Sequence, residues 1–160
     1  TLKHEYGMTS IVELTNLLNE LILEKYGYEK ELDILGFSMG GIIGRYWIKK
    51  MNGYKRTKRF LTVGSPHKGT LASQLVPKYP FRGISEMKIN SYLLRELSKS
   101  DYLLSGISCT SFFTYWDLMV FPGWRANLNS GEKISLKTYK HKNLVRNPDA
   151  VKKIVEIILR

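Results

Sequence analysis

The sequence predicts an α/β fold, a mainly parallel sheet with helices on both faces, and three observations carry that expectation. Short apolar runs alternate with stretches of helical periodicity, the order that builds right-handed βαβ units. The run Leu32-Asp33-Ile34-Leu35 is short and apolar, with a charged turn before it, as for a strand covered on both faces of a parallel sheet. Gly36-Phe37-Ser38-Met39-Gly40 then carries the chain straight from strand into helix. In such a string Gly36 and Gly40 remove side chains that would collide beneath a strained serine backbone, and the hydroxyl stands clear of the sheet edge.

Each element has a local reason. Ser10-Ile11-Val12-Glu13 has capping-box spacing, and Ile11, Leu14, Leu18, Leu21 and Ile22 recur at helical intervals up to Tyr26-Gly27, which predicts an amphipathic helix ended by glycine. After the strand 32–37, a helix is expected over 39–51, with Gly40, Gly41 and Gly44 allowing close packing on strands and Gly53 beyond its end. Residues 58–63 read as the next strand, followed by the loop Gly64-Ser65-Pro66-His67-Lys68-Gly69-Thr70 and a short helix. Residues 77–105 are irregular apart from a helical stretch near 89–97, and this is where a cap or lid is expected. Strands are expected over 108–116, closing on Asp117, and 133–140, closing on His141. Asn147-Pro148-Asp149 opens a last helix, 150–159, with Val151, Ile154, Val155 and Ile158 as its apolar stripe.

Composition bounds what such a chain can do. Its 160 residues, 43% hydrophobic and 24% charged, suit one globular domain with one core. No apolar run approaches the roughly 20 residues that span a bilayer, and Thr1-Leu2-Lys3-His4-Glu5 does not form a secretory signal. A cytoplasmic protein, at most peripheral to a membrane, is expected. The single cysteine, Cys109, excludes an internal disulfide and a thiolate metal cluster, and its apolar setting reads as buried packing. Lysine and arginine number 25 against 14 aspartates and glutamates. The basic residues fall in small groups without a nucleic-acid-binding signature, so a solvated basic surface is expected, open to anionic membranes rather than to nucleic acid.

A serine hydroxyl is too weak an acid to attack an ester unaided, so it needs an imidazole within hydrogen-bond reach and an acid to orient that imidazole. Ser38 leaves a predicted strand end. Of the three histidines, His4 precedes the first helix and His67 sits in the Pro-His loop, whereas His141 follows the last strand. The chain order Ser, acid, His, known for nucleophile elbows on such sheets, selects His141 as base. Among Glu86, Glu96, Asp101, Asp117 and Glu132, only Asp117 directly follows a predicted strand. Three residues far apart in sequence are thereby brought to one sheet edge, where sites on parallel sheets lie. The Met39 N–H, at the start of its helix, is the expected oxyanion donor.

Four blocks then fall in a recognisable order: Gly-Phe-Ser-Met-Gly-Gly; Thr62-Val63-Gly64-Ser65-Pro66-His67-Lys68-Gly69-Thr70; Tyr115-Trp116-Asp117-Leu118-Met119-Val120-Phe121-Pro122; and His141-Lys142-Asn143-Leu144 before a terminal helix. Together they resemble bacterial lipases of the α/β-hydrolase superfamily, from about Ser10 to the end of the chain. The resemblance implies carboxylic-ester hydrolysis of an ester or lipid substrate without metal or cofactor, with Ser38 as nucleophile, Asp117 as orienter and His141 as base, then acid. It also implies that the Gly64–Thr70 loop shapes the pocket floor, with His67 structural. One helix precedes the nucleophile strand, and no His-Gly pair marks a loop that would supply a second oxyanion donor. The expected fold is therefore an α/β-hydrolase incomplete at its amino-terminal side, either an excerpt of a longer chain or an inactive form. Two rivals follow: an acyltransferase or thioesterase using the same triad, and a catalytically silent binding protein.

Overall fold

The computed structural model describes residues 7–159, so His4 lies outside the described residues. Four strands, β1 (Leu32–Phe37), β2 (Thr57–Val63), β3 (Ser108–Phe113) and β4 (Glu132–Ser135), form one sheet in the order β1-β2-β3-β4, and every neighbouring pair is parallel. Phe37 pairs with Val63, Val63 with Phe112, and Phe113 with Ser135. The carboxyl ends of all four strands are thus level at one edge.

Helices cover both faces. Helix α1 (Ile11–Tyr26) starts on a complete capping box: the Ser10 hydroxyl accepts from the Glu13 N–H at 3.1 Å, and the Glu13 carboxylate accepts from the Ser10 N–H at 3.4 Å. It ends at Gly27, whose φ of 66° suits glycine. Ile11 and Leu14 of α1 pack with Ile42 and Ile43 of α2 (Met39–Lys50) and with Leu93, Leu94 and Leu97 of α4 (Tyr92–Lys99). Each such fully buried side chain contributes roughly 1.5–3 kcal/mol. Leu21, expected on that stripe, is exposed. Between α2 and the sheet lies a second cluster built on Trp47, Ile48, Phe60 and Cys109. Burial pushes the Cys109 thiol up to about 11, which suits packing rather than reactivity. On the opposite face, Ala150, Ile154 and Ile157 of α5 (Pro148–Ile158) pack against Leu61, Val63, Phe112 and Leu136.

Several elements depart from the sequence reading. Among the described residues strand β1 stands at the edge of the sheet, and Leu35 is 54% exposed, so here it is not covered on both faces. The α5 stripe runs through 150, 154 and 157, while Val151 and Val155 are exposed; the N-cap Asn147, accepting from the Ala150 N–H at 3.0 Å, starts the helix earlier than expected. Past α2 it is Asn52, not Gly53, that takes the left-handed backbone. Gly53 is needed for closeness instead, since a Cβ there would lie 2.4 Å from the Trp47 ring. Within 77–105, α4 lies close to the helix expected near 89–97, and the short α3 (Arg82–Glu86) precedes it without having been expected. No helix among the described residues is long and apolar enough to cross a membrane.

Candidate active site

Ser38 follows β1 without an intervening residue and has φ 53° and ψ −126°, a backbone region that side chains other than glycine's rarely enter. Two hydrogen bonds hold it there. Its N–H donates to the Val63 carbonyl at 2.9 Å, and its carbonyl accepts from the Gly41 N–H at 3.1 Å. A Cβ on Gly36 would lie 2.5 Å from the Gly41 Cα, a backbone collision that no rotamer relieves. A Cβ on Gly41 would lie 2.1 Å from the Ser65 hydroxyl. Gly40 differs from expectation: a Cβ there meets nothing within 4 Å. The helix turns its next residue, Gly41, onto the strand, and the steric demand expected of Gly40 falls there.

Strands β3 and β4 both end earlier than the sequence suggests. Asp117 comes four residues after Phe113 and His141 six after Ser135. The chain leaves the ladder because Thr114 and Gly123 pack backbone to backbone, with a Gly123 Cβ position 1.9 Å from the Thr114 carbonyl oxygen, and because the Thr114 hydroxyl donates to the Thr138 carbonyl. Both residues nevertheless emerge from the same sheet edge as Ser38 and converge.

Asp117 is 1% exposed and fully engaged. One carboxylate oxygen accepts from the N–H groups of Met119 and Val120 at 2.9 and 3.0 Å; the other lies 2.7 Å from His141 Nδ1. This is the only histidine–carboxylate pair among the described residues. Thr70 pins the Asp117 loop to the Gly64–Thr70 loop, its hydroxyl donating to the Met119 carbonyl and accepting from the Phe121 N–H, each at 2.9 Å. Three of the other candidate acids are occupied elsewhere: Glu86 accepts from the Ile11 N–H at 2.6 Å, Glu96 pairs with Lys99, and Asp101 binds Arg45 and Lys49.

The His141 ring stacks on Phe37, centroids 4.8 Å apart, and Phe37 immediately precedes Ser38. On another side it meets Gly64, where φ is 56° and a Cβ would approach the ring's Cε1 to 3.1 Å. His141 Nε2 is buried and has no hydrogen-bond partner. No hydrogen bond joins it to the Ser38 hydroxyl, a link that in the absence of substrate is commonly long or misaligned. Among the described residues no carbonyl accepts the Met39 N–H, as is usual for the first turn of a helix. Phe37, Gly64 and Thr70 support this arrangement and were not singled out for these roles by the sequence, whereas Gly41 packs closely on the strands as expected. Only Gly64 carried a local cue, opening a Gly-Ser-Pro turn at a strand end.

His67 stands apart. It is 2% exposed, its ring nitrogens have no partners, and its carbonyl accepts from Arg45 Nη1 at 3.1 Å. Burial, reinforced by the Arg45 charge, pushes its imidazole well below the usual range and keeps it neutral. No cluster of three metal-ligating side chains occurs among the described residues.

Residues 4–116 match the family model for palmitoyl protein thioesterase, a span that contains Ser38 and the Gly64–Thr70 loop and ends just before Asp117. No curated protein matches the chain. Among solved structures it is similar to the lipase BlEst2 of Bacillus licheniformis in its mature form, with a TM-score of 0.71, 12% identity, and coverage of 93% of this chain and 74% of that one. It is similar to a bromoperoxidase from Bacillus anthracis, with a TM-score of 0.62, 14% identity and coverage of 96% and 75%. It is also similar to MGS-MChE2, an alpha/beta hydrolase enzyme from the metagenome of Mar Chica lagoon sediments, Morocco, with a TM-score of 0.64, 17% identity and coverage of 92% and 68%. Identities this low carry the fold alone. The family match spans more than two thirds of the chain, and the parallel sheet agrees with it; the chain belongs to the palmitoyl protein thioesterase family, within the α/β-hydrolase superfamily.

Proposed function

We propose that the protein is a serine hydrolase of acyl esters, acting through Ser38, His141 and Asp117 by way of an acyl-enzyme. The observation that carries this reading is a half-buried imidazole tied at Nδ1 to Asp117, unpartnered at its buried Nε2 and stacked on the residue before a strained serine. With the Asp117 carboxylate accepting the Nδ1 proton, the tautomer leaves a lone pair on Nε2. Rotation of the Ser38 hydroxyl toward Nε2 lets the base take the proton as Oγ attacks the carbonyl carbon. Negative charge on the former carbonyl oxygen is then met by the Met39 N–H. Collapse expels the alcohol, protonated by His141, and water repeats the sequence to release the acid.

The loop that holds Asp117 leaves Tyr115, Trp116, Leu118 and Met119 exposed. Apolar side chains on the loop that carries Asp117 favour a substrate with an acyl chain. The family match favours a second reading on the same residues, in which the scissile bond is a thioester and the leaving group a thiol. Hydrolysis of p-nitrophenyl esters and of matched acyl thioesters by the wild type and Ser38→Ala tests both. Loss of both activities in the variant is expected, and the ratio of kcat/KM values separates ester from thioester preference. Turnover retained in Ser38→Ala would end the proposal.

A further inference from the structure

Beneath the Gly64–Thr70 loop lies a cavity of about 550 Å³ that none of Ser38, Asp117 or His141 lines. Its walls come from three separate segments: Lys68 from the loop after β2, Arg95, Ser98 and Lys99 from α4, and Arg125 and Asn129 from the β3–β4 connection. No lining residue is acidic. His67 closes the back, 2% exposed and with both ring nitrogens unpartnered.

The charge around this cavity is not balanced. Behind His67, Arg45 and Lys49 share the single carboxylate of Asp101, which also accepts from Asn129 Nδ2 at 2.8 Å. Glu96 is paired with Lys99. Six basic side chains therefore stand against two carboxylates. Arg125 donates to the carbonyls of Gly69 and Lys68 at 3.1 and 2.7 Å and, among the described residues, has no carboxylate partner. Arg125 and Lys68 lie over the Trp124 ring, at 5.3 and 5.9 Å from its centroid. Burial lowers the Lys68 pKa, and the neighbouring Lys133, Arg125 and Arg45 charges lower it further. Like charges held this close, partly out of water, leave a field that a bound anion would relieve.

We propose that this cavity binds a phosphoryl group, carried either on a lipid head group or as free phosphate. Cations from three walls suit a tetrahedral dianion, which takes donors from several directions, better than a planar carboxylate, which is met by one fork. His67, whose buried ring nitrogens have no partner, lines the same cavity. The site is independent of the hydrolase reading, since its walls exclude the three residues of that reading.

The test is calorimetric titration of the whole chain with inorganic phosphate at low ionic strength, alongside flotation with phosphatidylglycerol–phosphatidylcholine vesicles and with pure phosphatidylcholine vesicles. Lys68→Glu/Arg95→Glu reverses charge in the cavity; Lys152→Glu/Lys153→Glu makes the same change in net charge on α5. The expected result is saturable binding of one probe that weakens at least about tenfold in the cavity variant and stays within about twofold in the α5 variant. Phosphate binding identifies the free ion as sufficient, whereas binding confined to phosphatidylglycerol vesicles identifies a head group. Binding of neither probe, equal loss in both variants, or no loss in the cavity variant overturns the proposal. Arg95→Glu alone, on the exposed side of α4, keeps the test decisive if the double variant does not fold by circular dichroism.

Discussion

Replacing Ser38 by glycine should stabilise the fold relative to replacing it by alanine, and the margin follows from the backbone. Both substitutions remove the hydroxyl, so its interactions cancel in the comparison. At φ 53° and ψ −126° a residue with a Cβ is strained by about 1–3 kcal/mol, and glycine is not. Glycine's greater freedom in the unfolded chain offsets about 0.4–1 kcal/mol of that gain. The hydrogen bonds from the Ser38 N–H to Val63 and from the Gly41 N–H to the Ser38 carbonyl use backbone only and survive in both variants. Ser38→Gly should therefore exceed Ser38→Ala by about 0.5–2 kcal/mol, read from urea denaturation midpoints at matched slope. Equal stability, or a more stable alanine variant, would refute the strained-turn argument.

Other substitutions probe neighbouring links. Gly36→Ala should cost about 1–3 kcal/mol or more through its collision with Gly41, while Gly40→Ala should gain a few tenths to about 1 kcal/mol, because its Cβ enters open space in a helix; thermal melts of the pair check this. In Asp117→Asn the amide oxygen should keep the Met119 and Val120 N–H bonds and turn the NH₂ toward His141 Nδ1. That arrangement places the ring proton on Nε2, and ester kcat/KM should fall by about 10²–10⁴ with little change in melting temperature. Asp101→Asn strips the carboxylate from buried Arg45 and Lys49 and should cost about 2–4 kcal/mol at pH 7. Burial and the Arg45 charge already lower Lys49 to about 8. Its unfolded form holds its proton up to about 10.4, so its charged folded form carries a penalty that fades as pH rises through 8. The Asp101→Asn deficit should accordingly shrink between pH 7 and pH 9 in denaturation series, and a deficit that grows would contradict the sign.

What the sequence made legible was local. The α1 capping box and the strand-to-helix turn at Ser38 rest on neighbours a few residues apart, and both appear where the residues pointed. Burial that depends on distant partners was not legible. Leu35 reads as core because its run is apolar, yet among the described residues β1 lies at the sheet edge and Leu35 is exposed. Val151 and Val155 read as a stripe because they are apolar, but the helix phase set by Asn147 turns Ala150, Ile154 and Ile157 inward. The ends of β3 and β4 were misjudged because the contact that breaks the ladder, Thr114 against Gly123 and Thr138, is a tertiary one. For the same reason the Arg45–Lys49–Asp101 cluster went unseen: its cations and its carboxylate are separated by more than 50 positions.

The central claim is that Ser38 is the nucleophile and His141 its base. A fluorophosphonate probe, followed by peptide mapping of the adduct, tests it most directly. One covalent adduct on the peptide containing Ser38 is expected, abolished in Ser38→Ala and slowed by about 10² or more in His141→Ala. An adduct on a different residue, or labelling of the same rate in His141→Ala, would contradict it.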